Sequence, residues 1–282
     1  MYKLIDGKAH SQGIRQEIRR GVEEFRQKHG REIGLAVVLI GDNSASKVYV
    51  RNKIKACEEV GIKSYAYYLP AETSQKEAEE LVSSLVSDDN INGILVQLPL
   101  PAHLDSEKIL ALIPMSKDVD GFCAENMGSL CMNRECLVAC TPNGVMKMLE
   151  REGINPKGKK AVVVGRSNIV GKPMAMLLLN ADATVTVCHS KTKDLREQCL
   201  QADILVAAIG KAKFITADMV KEGAVVIDVG MDRDENGKLC GDVDFENVKE
   251  KCSYITPVPG GVGPMTITML MYNTLEAAKR SV

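Results

Sequence analysis

The chain has 282 residues, which is enough for one large or two ordinary domains, each with its own buried core. Its 45% hydrophobic and 26% charged residues are ordinary for a globular protein and exclude disordered and fibrous classes. The formal net charge of -1, without a block of one sign, gives no electrostatic reason to expect nucleic acid or an anionic membrane as a partner. The first residues lack the apolar core of a signal peptide and no segment is apolar over the thickness of a bilayer, so we expect a cytoplasmic protein.

The first half of the chain alternates between helical and strand patterns. Ser74, with Glu77 three residues later, predicts a capping box at the start of one helix. The predicted elements are a first helix carrying Ile14, Ile18, Val22 and Phe25, strands at about residues 35–40, 65–69 and 93–98, and helices at about residues 44–60, 74–86 and 106–113.

The domain junction is predicted near Cys140. Thr141 is the expected N-cap of the next helix, Pro142 its first residue, and Gly153 its end. Further strands are predicted at about residues 161–164, 183–188, 203–208 and 224–229, and a glycine loop at residues 257–264 precedes the last helix. This alternation predicts an α/β fold with parallel sheets covered by helices.

Residues 165–171 follow an apolar strand and precede a helix, which is the arrangement of a dinucleotide-binding turn. Gly165 allows a sharp turn, Gly171 allows the helix and strand to approach, and the free N–H groups at the start of the helix are expected to face a pyrophosphate. Ser167 stands where the second glycine of the G-x-G-x-x-G fingerprint belongs, so the match is partial and a purely structural turn is the alternative.

The end of the following strand favours NADP over NAD. NAD-binding chains place a carboxylate there to hold the ribose, whereas this chain has His189, Ser190 and Lys191. Ser190, Lys191 and the upstream Arg166 are suited to hold a phosphate on that ribose. The alternatives are that the two cations belong to the solvated surface and that Asp194, a few residues further on, serves NAD.

Polar residues in the first half suggest a catalytic cleft facing the nucleotide-binding domain. Tyr49 and Lys53 are four residues apart and therefore share one face of a helix. Gln97 interrupts an apolar strand at its carboxyl end, the edge of an α/β sheet where ligands bind. Asp118 and Asp120 follow in a loop, where turn formation explains them as well as function does.

Six motifs, in the same order and over nearly the whole chain, resemble those of the bifunctional methylenetetrahydrofolate dehydrogenase/cyclohydrolase family. They are YVRNK at residues 49–53, GILVQLPLP at 93–101, KDVDGF at 117–122, TPNG at 141–144, GRSNIVGKP at 165–173 and PVPGGVGPMT at 257–266. Several motifs of this length are far more specific than one glycine loop.

The resemblance implies a homodimer that acts on tetrahydrofolate derivatives. NADP would oxidise methylenetetrahydrofolate to the methenyl form, and the same cleft would hydrolyse that cation to formyltetrahydrofolate. The implied fold has an N-terminal α/β catalytic domain, residues 1–140 with about 265–282, and a Rossmann-type NADP domain, residues 141–264. The last helix would return to the first domain.

The resemblance also assigns site residues. Lys53 would be the catalytic lysine, Gln97 its polar partner, Tyr49 a stacking residue and Asp120 the anchor of the pterin ring. The implied substrate-binding set is Tyr49, Val50, Arg51, Asn52, Lys53, Val96, Gln97, Leu98, Asp120, Pro259, Gly260, Gly261, Val262 and Gly263, and the implied cofactor-binding set is Gly165, Arg166, Ser167, Ser190 and Met231.

Three residues depart from the family pattern. Met231 replaces a β-branched residue and introduces flexibility at a cofactor position, Ala139 replaces a frequent proline, and Lys191 replaces an arginine. None of them belongs to the implied catalytic set.

Two other functions remain open. One is a monofunctional NAD(P)-dependent dehydrogenase of the same fold, in which Lys53 only orients the substrate. The other is a non-catalytic nucleotide-binding redox module that uses its cysteines. The nine cysteines include no C-x-x-C pair, and Cys131, Cys136 and Cys140 have no obvious histidine as a fourth ligand, so we expect free thiols and no metal.

Overall fold

The computed structural model describes residues 2–282, without the side chain of Ala45. The chain divides into two compact units. One combines Gly13–Cys140 with Ile267–Val282, and we call it the three-stranded unit. The other combines Met1–Gln12 with Thr141–Thr266, and we call it the six-stranded unit. The α/β class and the assignment of the last helix to the first domain are thereby confirmed.

The three-stranded unit is a parallel sheet with helices. Its strands lie in the order β3-β2-β4, and β2 pairs with both neighbours in parallel register. Its elements are α1 (Gly7–His29), β2 (Gly34–Ile40), α2 (Ser44–Val60), β3 (Lys63–Leu69), α3 (Gln75–Ser87), β4 (Gly93–Val96), α4 (Ser106–Ala111), α5 (Ala124–Cys131) and α10 (Val262–Arg280). The division between the units falls within α1 and α10, and it also separates Cys140 from the rest of the helix that begins there.

Apolar periodicity accounts for this unit. All seven residues of β2 are buried, as expected for a central parallel strand that is covered on both faces. The four apolar residues predicted to share one face of α1 are buried. The capping box of α3 is present, because the Ser74 side chain accepts from the Glu77 N–H and the Glu77 carboxylate accepts from the Ser74 N–H.

The six-stranded unit has the strand order β1-β11-β8-β7-β5-β6, with every pair in this sheet parallel. A small antiparallel pair, β9 with β10, stands apart from it. The elements are β1 (Lys3–Leu4), α6 (Cys140–Arg151), β5 (Lys160–Val164), α7 (Gly171–Asn180), β6 (Thr184–Cys188), α8 (Leu195–Cys199), β7 (Ile204–Ala207), β8 (Ala224–Asp228), β9 (Asp232–Arg233), β10 (Leu239–Cys240), α9 (Phe245–Val248), β11 (Cys252–Ile255) and short 3-10 turns at Ala217–Met219 and Lys249–Lys251.

The first residues of the chain differ from the predicted domain boundary. Lys3 and Leu4 form β1, which pairs with Tyr254 and Ile255 of β11 at the edge of the six-stranded sheet. Residues 1–12 were predicted to lie in the first domain, but the described residues 2–12 group with the other unit. A strand of two residues has no apolar alternation, so its partner is set by a contact distant in sequence and not by any local pattern.

The helix after the junction also begins earlier than predicted. α6 begins at Cys140, so Thr141 and Pro142 are its second and third residues and Thr141 is not the N-cap. The Thr141 hydroxyl instead forms a hydrogen bond of 2.9 Å with the Thr266 hydroxyl. Gly153 follows the helix with a φ of +69°, as expected for a glycine that ends a helix.

Two properties of the described residues bear on the class of protein. No described helix is both long and apolar enough to cross a membrane. Within residues 2–282, no group of three or more histidine, cysteine or acidic side chains is arranged to hold a metal ion.

Candidate active site

Lys53 and Gln97 come together at the carboxyl edge of the three-stranded sheet. Gln97 directly follows β4, and its backbone N–H donates to the Val38 carbonyl of the neighbouring β2 at 2.8 Å. Lys53 lies on α2, the helix that follows β2. The Lys53 Nζ donates to the Gln97 Oε1 at 3.0 Å, while the Gln97 Nε2 donates to the Leu98 carbonyl at 2.7 Å. Both ends of the Gln97 amide are therefore used, and its oxygen is held toward the lysine.

Tyr49 lies one helical turn before Lys53 and is 42% exposed. An exposed aromatic ring beside a polar pair offers a flat apolar surface to a planar ligand. Of the other residues in the predicted substrate-binding set of this unit, Arg51, Asn52 and Leu98 are exposed, and Val50 and Val96 are buried in the core.

Asp118 and Asp120 have different surroundings, although they are only two residues apart. Asp118 is buried, and its carboxylate accepts from the N–H of Gly121 at 3.1 Å and of Cys123 at 2.8 Å, and from the Asn126 Nδ2 at 3.0 Å. It holds the loop together, so turn formation explains this residue. Asn126 was not among the predicted residues, and nothing in its local sequence pattern indicates its role.

Asp120 is the carboxylate associated with Lys53. Burial raises the pKa of Asp120 to about 6, the positive charge of Lys53 acts in the opposite direction, and the negative charge of Asp118 adds to the increase. A carboxyl group that titrates near neutral pH beside an amine can accept hydrogen bonds and exchange protons in the physiological range.

The glycine turn of the six-stranded unit has the predicted backbone. Gly165 follows β5 with a φ of +132°, and a Cβ at this position would collide with the Ala208 carbonyl oxygen after β7. A Cβ on Gly171 would collide with the Gly165 carbonyl, because the first residues of α7 pack closely against the glycine turn that precedes the helix. Both positions therefore require glycine for the reasons given from sequence.

The start of α7 differs from the expectation in one respect. The Ser167 hydroxyl accepts from the N–H groups of Val170 at 3.2 Å and Gly171 at 3.3 Å, and the Lys172 N–H donates to the Ser167 carbonyl at 3.0 Å. Three N–H groups that we expected to face an anion are thus bonded within the turn. The serine at the second glycine position accounts for the first two of these bonds, since a glycine has no hydroxyl to accept them, whereas the third goes to a backbone carbonyl that any residue has.

Arg166 and Ser190 lie at the carboxyl edge of neighbouring strands. Val164 of β5 pairs with Cys188 of β6, and each of the two polar residues comes two positions after its strand. Arg166, Ser190 and Lys191 are all exposed. Asp194 is also exposed and precedes α8, so it does not directly follow the strand as a ribose-binding carboxylate does.

Met231 and the second glycine loop belong to the six-stranded unit. Met231 is 51% exposed, and a Cβ built on Gly263 would lie 3.6 Å from its Cε. The predicted loop is shorter than expected, because α10 already begins at Val262. Pro259 and Gly260 precede that helix, Gly261 has no room for a side chain against the Pro257 carbonyl, and the Gly260 carbonyl accepts from the Lys8 N–H at 3.0 Å.

Sequence reasoning missed two buried carboxylates in this unit, Asp228 and Asp242. The Asp242 carboxylate accepts from the N–H groups of Ile209 and Lys211, both at 2.7 Å. The Asp228 carboxylate accepts from the N–H groups of Gly230, Asp242 and Val243. Burial raises the pKa of Asp228 to about 7. The available signal was Asp228 at the end of an apolar strand, where a charged residue is unusual.

The two halves of the chain match two models of one family. Residues 5–120 match the catalytic domain of tetrahydrofolate dehydrogenase/cyclohydrolase, and residues 139–282 match its NAD(P)-binding domain. The bifunctional protein FolD of Moorella thermoacetica is 57% identical over 278 residues, which are 99% of each chain.

Solved structures agree with this match. The bifunctional FolD dehydrogenase/cyclohydrolase of Campylobacter jejuni is 53% identical over 100% of both chains, with a TM-score of 0.97. The Trypanosoma brucei enzyme, solved with NADP cofactor and an inhibitor, is 40% identical over 99% of this chain and 98% of that one, with a TM-score of 0.94. The resemblance of the six sequence motifs is thereby confirmed, and the chain belongs to the tetrahydrofolate dehydrogenase/cyclohydrolase family.

Proposed function

We propose that this chain oxidises methylenetetrahydrofolate with NADP and then hydrolyses the methenyl product to formyltetrahydrofolate. The observation that carries the proposal is the hydrogen bond of 3.0 Å between the Lys53 amine and the Gln97 oxygen. The Asp120 carboxylate interacts electrostatically with the same amine. A hydrolase needs such a proton-exchanging group, whereas an enzyme that only transfers a hydride does not.

The six-stranded unit fits a dinucleotide. The turn at Gly165 leaves no room for a side chain, and the exposed Arg166 and Ser190 follow two neighbouring strands at the same edge. NADP is supported over NAD by the absence of a carboxylate in residues 189–192, and by the relative from Trypanosoma brucei that was solved with NADP. Bound there, NADP would supply the acceptor for the hydride that leaves the methylene carbon. The protein's part is to position the substrate.

Hydrolysis of the methenyl cation requires the residues themselves to move protons. Water adds to the methenyl carbon, one carbon–nitrogen bond breaks, and the departing nitrogen takes a proton. Lys53 is the group proposed to exchange that proton at its Nζ, and Gln97 holds the amine in position through its Oε1. In this step the Nζ takes the proton that the attacking water loses and returns it to the departing nitrogen.

Three features are assigned to folate binding. Asp120 accepts hydrogen bonds from the pterin ring, and the exposed Tyr49 ring stacks on the ligand. The assignment of Pro259, Gly260, Gly261, Val262 and Gly263 to folate binding stays a prediction, as does that of Val50 and Val96, which lie buried in the core of the three-stranded unit. Gly165, Arg166, Ser167, Ser190 and Met231 bind the cofactor.

We further propose that the protein forms a homodimer. β6 is the last strand of the six-stranded sheet and carries exposed Val187, and Leu179 at the end of the adjoining α7 is also exposed. An edge strand with apolar side chains favours pairing with another chain, and a second copy is the partner that family membership supports. The nine cysteines are free, which fits the reducing conditions of the cytoplasm proposed as its location.

Two assays test the proposed function. The first follows reduction of NADP and of NAD in the presence of methylenetetrahydrofolate, and we expect NADP to be strongly preferred. The second follows hydrolysis of methenyltetrahydrofolate without any cofactor. Oxidation without hydrolysis would indicate a monofunctional dehydrogenase, and NADP binding without either reaction would indicate a non-catalytic module.

A further inference from the structure

The last helix holds the loop of residues 117–122, which we call the Asp120 loop, through one buried side chain. Asn273 lies on α10, and only 2% of it is exposed. Its Nδ2 donates to two backbone carbonyls, those of Val119 and Val138, each at 2.8 Å. A primary amide has two N–H donors, so both are used to tie these two segments together.

The Val119 carbonyl has a second donor. The buried Cys140 Sγ lies 3.3 Å from the Val119 oxygen. Burial raises the pKa of Cys140 well above its usual value, so the thiol keeps its proton and donates it. Both lone pairs of the Val119 oxygen are therefore occupied, and the peptide that joins Val119 to Asp120 is fixed on one side.

The same loop is fixed on its other side by β4. The Ile94 N–H donates to the Lys117 carbonyl at 2.8 Å, and Ile94 forms a parallel bridge with Asp118. β4 leads directly to Gln97, which holds Lys53. Lys53 is thus connected to the loop by its hydrogen bond to Gln97, the backbone of β4 and the bond from Ile94, and the loop is connected to α10 by Asn273.

Gly121 brings the loop into close contact with the segment at Val138 and Ala139. Its φ is +73°, and a Cβ there would lie 2.5 Å from the Val138 carbonyl carbon and from the Ala139 nitrogen. The loop after Asp120 therefore packs directly on the segment whose Val138 carbonyl Asn273 also holds. Displacement of that segment would move Asp120.

We propose that Asn273 is a positioning residue of the folate site, which sets the place of the Asp120 carboxylate relative to Lys53 from the last helix. The proposal rests on the proposed function, because it takes Asp120 and Lys53 as the groups that act on the substrate. Asn273 acts through the Val119 and Val138 carbonyls, and its Nδ2 also lies 3.7 Å from the Sγ of Cys140, the second donor to Val119.

Two substitutions test it. Asn273→Asp keeps the shape but places an acceptor against two carbonyl oxygens, and Asn273→Ala removes the donors and leaves a cavity. The matched control is Thr274→Val at the next residue, which is equally buried but whose hydroxyl donates only to the Leu270 carbonyl of its own helix.

The measurement is the hydrolysis of methenyltetrahydrofolate as a function of pH. We expect both Asn273 variants to lose about tenfold or more in kcat/KM, the order of loss for a misplaced catalytic group. The acidic limb of the KM profile should shift to higher pH, because Lys53 lowers the pKa of Asp120 and a more distant lysine lowers it less. A residue with only a structural role would reduce the yield of folded protein without moving that limb.

Each outcome decides the proposal. It is supported if folded Asn273 variants show both the loss and the shift while Thr274→Val retains the wild-type profile. It is overturned if the folded variants keep the wild-type profile, if Thr274→Val reproduces their behaviour, or if neither variant folds, since Asn273 would then serve stability alone. A wild-type protein without hydrolysis would contradict the proposed function instead, and the two failures are thus distinguishable.

Discussion

Lys53 is the residue at which the two proposed half-reactions separate. Hydride transfer needs the lysine for alignment at most, whereas hydrolysis needs it to exchange a proton. We therefore expect Lys53→Met to reduce hydrolysis by about 100-fold or more, the usual size of a lost acid–base group, and to leave measurable dehydrogenase activity. Both rates are measured on the same preparation, with Lys55→Met, an exposed lysine of the same helix, as the control.

Gln97 extends this prediction to a pair. Because its Oε1 accepts from the Lys53 Nζ at 3.0 Å, Gln97→Ala should also reduce hydrolysis. The double variant should be little worse than Lys53→Met alone, since residues that act as one unit are not additive. If the loss of hydrolysis in the double variant equalled the product of the two single losses, Lys53 and Gln97 would act independently and the assignment would be wrong.

The raised pKa of Asp120 leads us to expect that folate binding depends on pH. Its pKa is raised to about 6, so it is ionised above that pH and protonated below it. The ionised carboxylate can accept from the pterin N–H groups with both oxygens, whereas the protonated acid has lost its charge and part of this capacity. We therefore expect the KM for both folate substrates to rise as the pH falls through about 6. Asp120→Asn should raise KM at pH 8 and remove this dependence. An acidic limb that persists unchanged in Asp120→Asn would assign it to another group.

Arg166 should determine the choice of cofactor. If it holds the ribose phosphate, Arg166→Ala should weaken NADP binding by about 1 to 3 kcal/mol, the range for a lost charge-assisted hydrogen bond, and change NAD binding much less. Titration with each nucleotide measures this directly. Arg196→Ala is the control, because that arginine is exposed on α8 and pairs with Asp218. Equal losses for the two nucleotides would place Arg166 at the pyrophosphate or in the fold.

At the scale of elements, the β5–turn–α7 segment joins the fold to the cofactor site. Gly165→Ala adds a methyl group that collides with the Ala208 carbonyl at a φ of +132°, so we expect a loss of about 1 to 3 kcal/mol in unfolding free energy and weaker NADP binding. Urea unfolding and nucleotide titration measure the two effects.

Gly128 provides the matched control for that change. It lies within α5, has open space around its Cβ position, and has no positive φ. Gly128→Ala should therefore stabilise the protein by about 0.5 to 1 kcal/mol through its helix propensity. Equal behaviour of the two alanine variants would show that the turn tolerates a side chain and that the steric explanation for Gly165 is wrong.

At the scale of the whole molecule, the proposed homodimer depends on the β6 edge. Val187→Lys places a charge on that exposed edge, and we expect the dimer to dissociate, as charged residues on edge strands oppose pairing. Sedimentation velocity of the variant and the wild type measures the change. Met132→Lys, at an exposed apolar residue of the other unit, should remain dimeric.

Local patterns in the sequence predicted most of the elements and several local contacts of the site. The helix at residues 44–60 and the capping box at Ser74 were correct because periodicity and capping are properties of neighbouring residues. The pairing of Lys53 with Gln97 was implied by the family resemblance, and the residue pattern alone indicated only that Gln97 lies at the carboxyl end of a strand, where ligands bind.

What sequence patterns did not predict depends on contacts between distant residues. Asp118 and Asp120 look alike in sequence, and only the partners of Asp118 at Cys123 and Asn126 distinguish the turn former from the residue near Lys53. The pairing of β1 with β11 and the contact of Asn273 with Val119 each join residues that are far apart along the chain. The periodicity of apolar residues within a helix or strand does not show which distant residues come into contact.

The division of the chain has a consequence for biosynthesis. β1 pairs with β11, and α10 joins residues from the first half, so each unit receives an essential part from the last stretch to leave the ribosome. At a synthesis rate of about 5 to 20 residues per second, the partners of Lys3 and Leu4 in β11 are made on the order of 12 to 50 s after these two residues. During that interval the six-stranded sheet lacks its β11 neighbour and the Asp120 loop lacks Asn273. We therefore expect nascent chains that end before α10 to depend on chaperones until synthesis is complete.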